Sequence, residues 1–260
     1  MVGIDERLLG LVALGDDCFE AAPVHTAQGD AYGGEVLARA LWAMTKTVAP
    51  GRLPHAVHAS YLRPAQNGEA TEVVVVRERD GRAFSTRRAV ARQRGKDMVL
   101  LTAGFHDAPA PDAVARFQRT AMPDVPPPES LEAARGGHLL LDLRVVDRGE
   151  AGMTRVWARA ADPLPEDPAV HACLLAYVSD YSNGLFTTPL GGLDVITLDH
   201  ALWFHRPASL ADWVLMDLEP VAVAVGRGTY QGTIYDRGGE VVATFVQAMF
   251  GMARNHPTYG

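Results

Sequence analysis

The turn residues of this chain repeat at one fixed distance. Arg63-Pro64 recurs 143 residues later as Arg206-Pro207, Arg94-Gly95 as Arg237-Gly238, and Asp97 as Glu240. A constant offset sustained over most of a sequence marks a duplicated unit, so the fold must be one that can be built twice and joined. The order of elements agrees. Gly33-Gly34 opens a helical pattern over Glu35–Val48 that Pro50 stops. Strand-like runs follow at Ala56–Leu62, Ala70–Arg79, Ala83–Gln93 and Met98–Phe105, punctuated by Asp80-Gly81 and Arg94-Gly95.

The second half repeats that order after two extra strands, Leu139–Val146 and Met153–Ala160. Pro168 suits the first turn of an apolar helix reaching Tyr181 or Leu185. Four strands are predicted after it: Val195–Phe204, Trp213–Val225, Thr229–Tyr235 and Val241–Phe250. A long helix followed by four antiparallel strands, twice, predicts an α+β fold. Each unit is a helix wrapped by a curved antiparallel sheet, with the two sheets side by side. The run Val170–Val178 is apolar nearly all round, as a buried central helix requires. The expected division is a unit over 1–106, a Pro-rich linker or strap over 107–137 with a possible short helix at Asp112–Arg119, and a second unit over 138–260.

Composition narrows the function classes. The 260 residues are 48% hydrophobic and 21% charged, enough to bury a full core. A net charge of −7 argues against nucleic-acid backbone binding. The sequence turns acidic within its first residues, and no uncharged apolar run approaches 18. Neither a signal peptide nor a membrane span is therefore expected. Cys18 and Cys173 are too few for a Cys-rich metal site. No G-x-S-x-G elbow, H-E-x-x-H or paired-Cys motif is present, so no metal and no cofactor is expected. Gly226-Arg227-Gly228-Thr229 opens no helix and is not read as a phosphate loop.

Three polar residues stand at the ends of apolar elements in the second half. Asp180 closes the buried helix, Thr197 begins the next strand, and Gln247 interrupts the last. At the 143-residue offset their counterparts are Leu37, Pro54 and Gly104, none with a polar side chain. Such an asymmetry is what a single active site in a duplicated fold would leave.

The chain resembles the acyl-CoA thioesterase II family (the TesB type), whose members are double-hotdog proteins. The resemblance rests on Tyr32-Gly33-Gly34, His58-Ala-Ser-Tyr-Leu-Arg63-Pro64 and Arg82-Ala-Phe-Ser85-Thr-Arg87-Arg88 in the first half. In the second it rests on Ala176-Tyr-Val-Ser179-Asp180, on Thr197-Leu-Asp199-His200-Ala-Leu-Trp203-Phe204-His205-Arg206-Pro207, on Gly226-Arg227-Gly228 and on Val246-Gln247. It implies a double hotdog that hydrolyses fatty acyl-CoA, with Asp180, Thr197 and Gln247 holding the attacking water. Two positions depart from the family pattern: Pro220–Val225 where a Ser/Thr-rich strand is usual, and Ala248 where an acidic residue is common. The chain ends Pro-Thr-Tyr-Gly260, without a peroxisomal tripeptide, so a cytoplasmic location is expected. A homo-oligomer is expected too, because duplicated units expose sheet edges.

In that reading Asp180 is the general base, and Thr197 and Gln247 orient the water. Oxyanion donors are either backbone N–H groups or the Gln247 amide. An acyl-Thr197 ester is a less favoured route. Two other functions fit the residues: a non-catalytic acyl-thioester binder, and a hotdog hydratase or dehydratase using an Asp–His pair. Of the histidines beside strand motifs, His200 and His205 are read as corner supports, and His58 has no assigned role. Arg63, Arg87, Arg88 and Arg206 are candidates for CoA phosphates or for structural pairing. Asp199 is expected on the strand face opposite Thr197 and is left out of the catalytic set.

Overall fold

The computed structural model describes residues 4–23, 31–107, 117–134, 140–148, 154–181 and 193–253. Each half is a hairpin, a helix and four strands. In the first, α1 (Ile4–Leu9) precedes β1 (Leu11–Gly15) and β2 (Cys18–Ala21), then α2 (Gly33–Thr45), β3 (Arg52–Tyr61), β4 (Thr71–Asp80), β5 (Phe84–Gln93) and β6 (Lys96–Asp107). In the second come β7 (Leu141–Arg148), β8 (Thr154–Ala160), α3 (Pro168–Ser179), β9 (Leu193–Phe204), β10 (Val214–Ala224), β11 (Arg227–Asp236) and β12 (Val241–Ala253). The β1–β2 hairpin is too short to show a period in the sequence, yet it matches β7–β8 and completes the duplication. The expected helix at Asp112–Arg119 lies mostly outside the described residues.

The twelve strands of the described residues form one sheet in the order β1-β2-β4-β5-β6-β3-β9-β12-β11-β10-β8-β7. The order reads the same outward from the central β3–β9 pair, which is antiparallel with Ala56 opposite Trp203. Two hotdog units thus share a sheet edge, and neither keeps it open to solvent. The corners repeat as well. The N–H groups of Leu62 and Arg63 bond the Met98 carbonyl, as those of His205 and Arg206 bond Val242. The β5–β6 turn places Arg94 at φ 50° and Gly95 at φ 70°, the geometry that a two-residue hairpin requires.

Helices α2 and α3 pack on each other inside the curve of the sheet. Pro168 opens α3, and the Asp167 carboxylate caps it by accepting from the Ala169 N–H at 2.9 Å. From Val170 to Ser179 only Ala172 is not fully buried, so α3 is the apolar rod that its sequence predicted. The linker is a strap where it is described. The indole N–H of Trp157 donates to the Pro126 carbonyl, and Gln118 bonds both Gly239 and Val241. Met122, Val125 and Leu131 cover Trp157, Trp213, Leu215 and Tyr235 there.

The 143-residue offset holds from β3–β5 to β9–β11, lengthens by one residue from β6 to β12, and fails for the helices. Lys46 follows α2 as Asp180 follows α3, so the counterpart of Asp180 is Lys46 and not Leu37. The segment joining helix to strand differs in length between the halves. Gln247 faces His200 and Tyr230, whereas Val57 and Arg87 face Ala103. The counterpart of Gln247 is therefore Ala103, displaced from Gly104 because the β11–β12 turn holds one residue more than the β5–β6 turn. Thr197 keeps Pro54.

Candidate active site

Asp180, Thr197 and Gln247 come from three elements and meet. Asp180 is the C-cap of α3, and its side chain reaches the Gly33 position of the first unit. Thr197 sits on β9 and Gln247 on β12, neighbours in the sheet. The Gln247 amide nitrogen donates to Asp180 Oδ1 at 2.6 Å and to Thr197 Oγ1 at 2.7 Å. The Thr197 hydroxyl donates to Asp180 Oδ1 at 3.2 Å. Asp180 is 6% exposed and Gln247 fully buried.

Burial pushes the Asp180 carboxyl up to about 7, against the bonds from Gln247, Thr197 and the Gly34 N–H that pull it down. No arginine or lysine among the described residues pairs with it. A carboxylate near half-ionised at neutral pH can take a proton and give it back.

The first half contributes a helix N-terminus. A Cβ on Gly33 would stand 2.7 Å from Asp180 Oδ2 and 3.0 Å from the Tyr61 ring; one on Gly34 would strike the Tyr177 carbonyl and stand 2.6 Å from the Tyr32 ring. Neither glycine has a positive φ, so space, not backbone conformation, demands them. The start of α2 has no side-chain cap, and the Asp180 carboxylate lies against its positive end. The Tyr32 hydroxyl donates to the Tyr177 carbonyl at 2.8 Å and Tyr61 to the Gly33 carbonyl at 3.1 Å, fixing this junction. Burial holds both phenols well above their usual range. Reasoning from the second half alone missed this contribution. The available signal was Tyr32-Gly33-Gly34, two glycines where a helix usually takes a polar cap.

The remaining candidates have partners within the fold. Arg87 is fully buried and bonds Thr47, Asp80, Arg79 and Thr86. Arg63 donates to the Asp97 carbonyl, Arg88 pairs with Glu78, and Arg206 pairs with Glu240. His205 bonds the Thr244 hydroxyl at 2.8 Å, and His58 sits edge-on to Trp203. His200 is buried behind Gln247, between it and Ser179. Asp199 is exposed, for a reason other than simple alternation: residues two apart share a face in a regular strand. Leu198 has no partner on β12 and forms a bulge, which turns Asp199 outward. Among the described residues no group of three or more His, Cys, Asp or Glu side chains is placed to hold a metal ion.

Family models match both halves. The acyl-CoA thioesterase N-terminal domain matches residues 21–106 and the C-terminal domain residues 106–250. The chain belongs to the acyl-CoA thioesterase family. The acyl-CoA thioesterase 2 of Haemophilus influenzae is 28% identical, over 93% of this chain and 94% of that protein. A solved acyl-CoA thioesterase II from Mycobacterium marinum is 32% identical with a TM-score of 0.83, covering 96% of this chain and 98% of that one. The tesB protein of Mycobacterium avium subsp. paratuberculosis is 30% identical with a TM-score of 0.84, covering 94% and 97%. These likenesses establish the double hotdog and an enzyme family of thioester hydrolases.

Proposed function

We propose that this chain hydrolyses fatty acyl-CoA by attack of a water held by Asp180, Thr197 and Gln247. The observation that carries the reading is the convergence of Thr197 and Gln247 on the buried Asp180 carboxylate, whose pKa lies near neutral. The water oxygen attacks the thioester carbonyl carbon while its proton passes to Asp180. The tetrahedral adduct then reforms the carbonyl, the C–S bond breaks, and the thiolate takes its proton from Asp180 or solvent. A thiolate is a good leaving group, so one carboxyl suffices for the proton transfers.

Both Gln247 amide protons are committed to Asp180 and Thr197. The N-terminal turn of α2 brings further backbone N–H groups beside Asp180, and these would stabilise the oxyanion. The dehydratase alternative needs an Asp–His pair, and no described histidine contacts Asp180. We also propose a cytoplasmic homo-oligomer. Among the described residues no helix is long and apolar enough to cross a membrane. The outer sheet face exposes Leu100, Trp203 and Val246, apolar side chains suited to a second copy. Light scattering giving a mass near 28 kDa would count against that assembly.

The test is Asp180→Asn, nearly isosteric but unable to accept a proton. Thiol release from acyl-CoA should fall by at least about 100-fold in kcat with little change in KM. A folded variant with near wild-type hydrolysis would overturn the mechanism. Thiol release by the wild type also excludes a pure binder.

A further inference from the structure

The Gln247 side chain has two orientations of almost the same shape and opposite chemistry. With its nitrogen toward Asp180 it donates to a carboxylate; turned over, it presents a carbonyl oxygen to that carboxylate. The carbonyl end lies in a buried pocket with two polar partners. The Tyr230 hydroxyl donates to Gln247 Oε1, and His200 Nδ1 lies 3.0 Å from the same oxygen. All three residues are buried, so water cannot replace a lost partner.

His200 supports this arrangement in only one tautomer. Burial holds the imidazole down to about 4, with the bond to Gln247 opposing, so the ring is neutral and carries one proton. That proton must sit on Nδ1 to serve the Gln247 carbonyl, which leaves Nε2 as an acceptor. Ser179 Oγ lies 2.9 Å from His200 Nε2 and 2.9 Å from the Ala176 carbonyl. Its single proton can serve only one of them. Given to Nε2, it fixes the Nδ1–H tautomer; given to Ala176, it leaves Nδ1 facing Oε1 lone pair to lone pair.

The circuit exists in one half alone. The register positions of His200, Gln247 and Tyr230 are held in the first unit by Val57, Ala103 and Arg87. The first unit has no imidazole or amide at the His200 and Gln247 positions, and its Arg87 bonds Thr47 and Asp80 instead, so the circuit is not repeated.

We propose that Tyr230 and His200, with the His200 tautomer set by Ser179, are positioning residues that clamp the Gln247 carbonyl and commit its amide protons to Asp180 and Thr197. The inference rests on Asp180 being the base. The titratable groups around that carboxylate are the phenols of Tyr32, Tyr61 and Tyr177, with Tyr230 and His200 behind Gln247. A freed amide would cease to hold the carboxyl down, so the clamp has a signature in pH as well as in rate.

The experiment is a double-mutant cycle with Tyr230→Phe and His200→Phe, each alone and combined with Gln247→Ala. Each single variant should lower kcat roughly three- to tenfold and move the acid limb of kcat/KM upward by roughly half a pH unit, with KM within about twofold. On Gln247→Ala neither should cost anything further. Unchanged kcat and pH profile in a folded Tyr230→Phe, or a loss that persists on Gln247→Ala, overturns the clamp. Tyr230→Phe removes one atom and carries the test alone if His200→Phe does not fold. Asp180→Asn in parallel separates the two ideas. If it stays active the base reading fails; if it is dead and the cycle is additive, only the clamp fails.

Discussion

Asp180 Oδ2 occupies the space that a methyl group on Gly33 would need, 2.7 Å from the Cβ position. The carboxylate proposed as the base in one unit thus fits against the other unit's helix only because that helix begins without a side chain. Alanine ordinarily stabilises a helix over glycine by about 0.5–1 kcal/mol. Gly33→Ala should reverse that sign little, since the Asp180 side chain can shift, but it should displace the carboxylate and lower kcat by roughly tenfold or more. Gly34→Ala meets the Tyr177 backbone carbonyl, which cannot shift, and should cost at least about 2 kcal/mol. Thermal melts and thiol-release rates on both variants check this. Gly33→Ala with wild-type kcat would sink it.

A carboxyl pushed to about 7 is mostly ionised only above that pH. The kcat/KM for thiol release should therefore rise as pH climbs through about 7 and level off above it. His200, held neutral at about 4, should add no limb between pH 5 and 8. A profile flat from pH 5 to 8 would remove Asp180 as the titrating base.

The sequence displays the element order plainly because punctuation is strong at Arg94-Gly95 and Pro168 and the strand runs are long. Asp180, Thr197 and Gln247 are legible as polar interruptions of apolar elements. Their pairing with the first half is less so. A fixed offset cannot follow a connection of different length, and this is why Leu37 and Gly104 are the wrong counterparts. The fit of Gly33 to Asp180 joins residues from different units, and no local pattern encodes it. Arg87 was legible in part, since it alternates inward with Ser85, Ala89 and Ala91 while Arg88 alternates outward.

Arg87 therefore belongs to the core and not to CoA. Its guanidinium bonds the Thr47 hydroxyl and carbonyl at 2.8 Å and Asp80 at 2.7 Å, tying the end of α2 to the β4–β5 hairpin. Arg87→Lys keeps the charge but cannot span those partners. Asp80 is half exposed and discounts the ion-pair part, so the expected loss is about 2 kcal/mol from the buried hydrogen bonds. KM for acyl-CoA should stay within about twofold. A raised KM with unchanged denaturation midpoint would restore a phosphate-binding role.

The two buried titratable groups should cancel in stability over an acid window, and single substitutions should expose each. Asp180 rises from 3.8 to about 7 on folding, so between these values the folded chain holds a proton that the unfolded chain has lost. Its stabilising contribution is complete below pH 3.8 and disappears as pH rises through 7. His200 falls from 6.5 to about 4, so the unfolded chain holds a proton that the folded one lacks. Its contribution is complete above pH 6.5 and disappears as pH falls through 4. Between about pH 4 and 6.5 the slopes are opposite, each about 1.4 kcal/mol per pH unit at most. Wild-type stability should owe no net slope to this site there. Asp180→Asn leaves His200 alone, and that variant should lose stability relative to wild type as pH falls from 6.5 to 4.5. His200→Phe leaves Asp180 alone and should gain over the same interval. The Asn variant should also be more stable than wild type at pH 8, where the native carboxylate is buried and charged. Urea midpoints at pH 4.5, 6.5 and 8 decide the matter. Parallel pH dependences for the two variants would show that these groups do not titrate with folding as their burial requires.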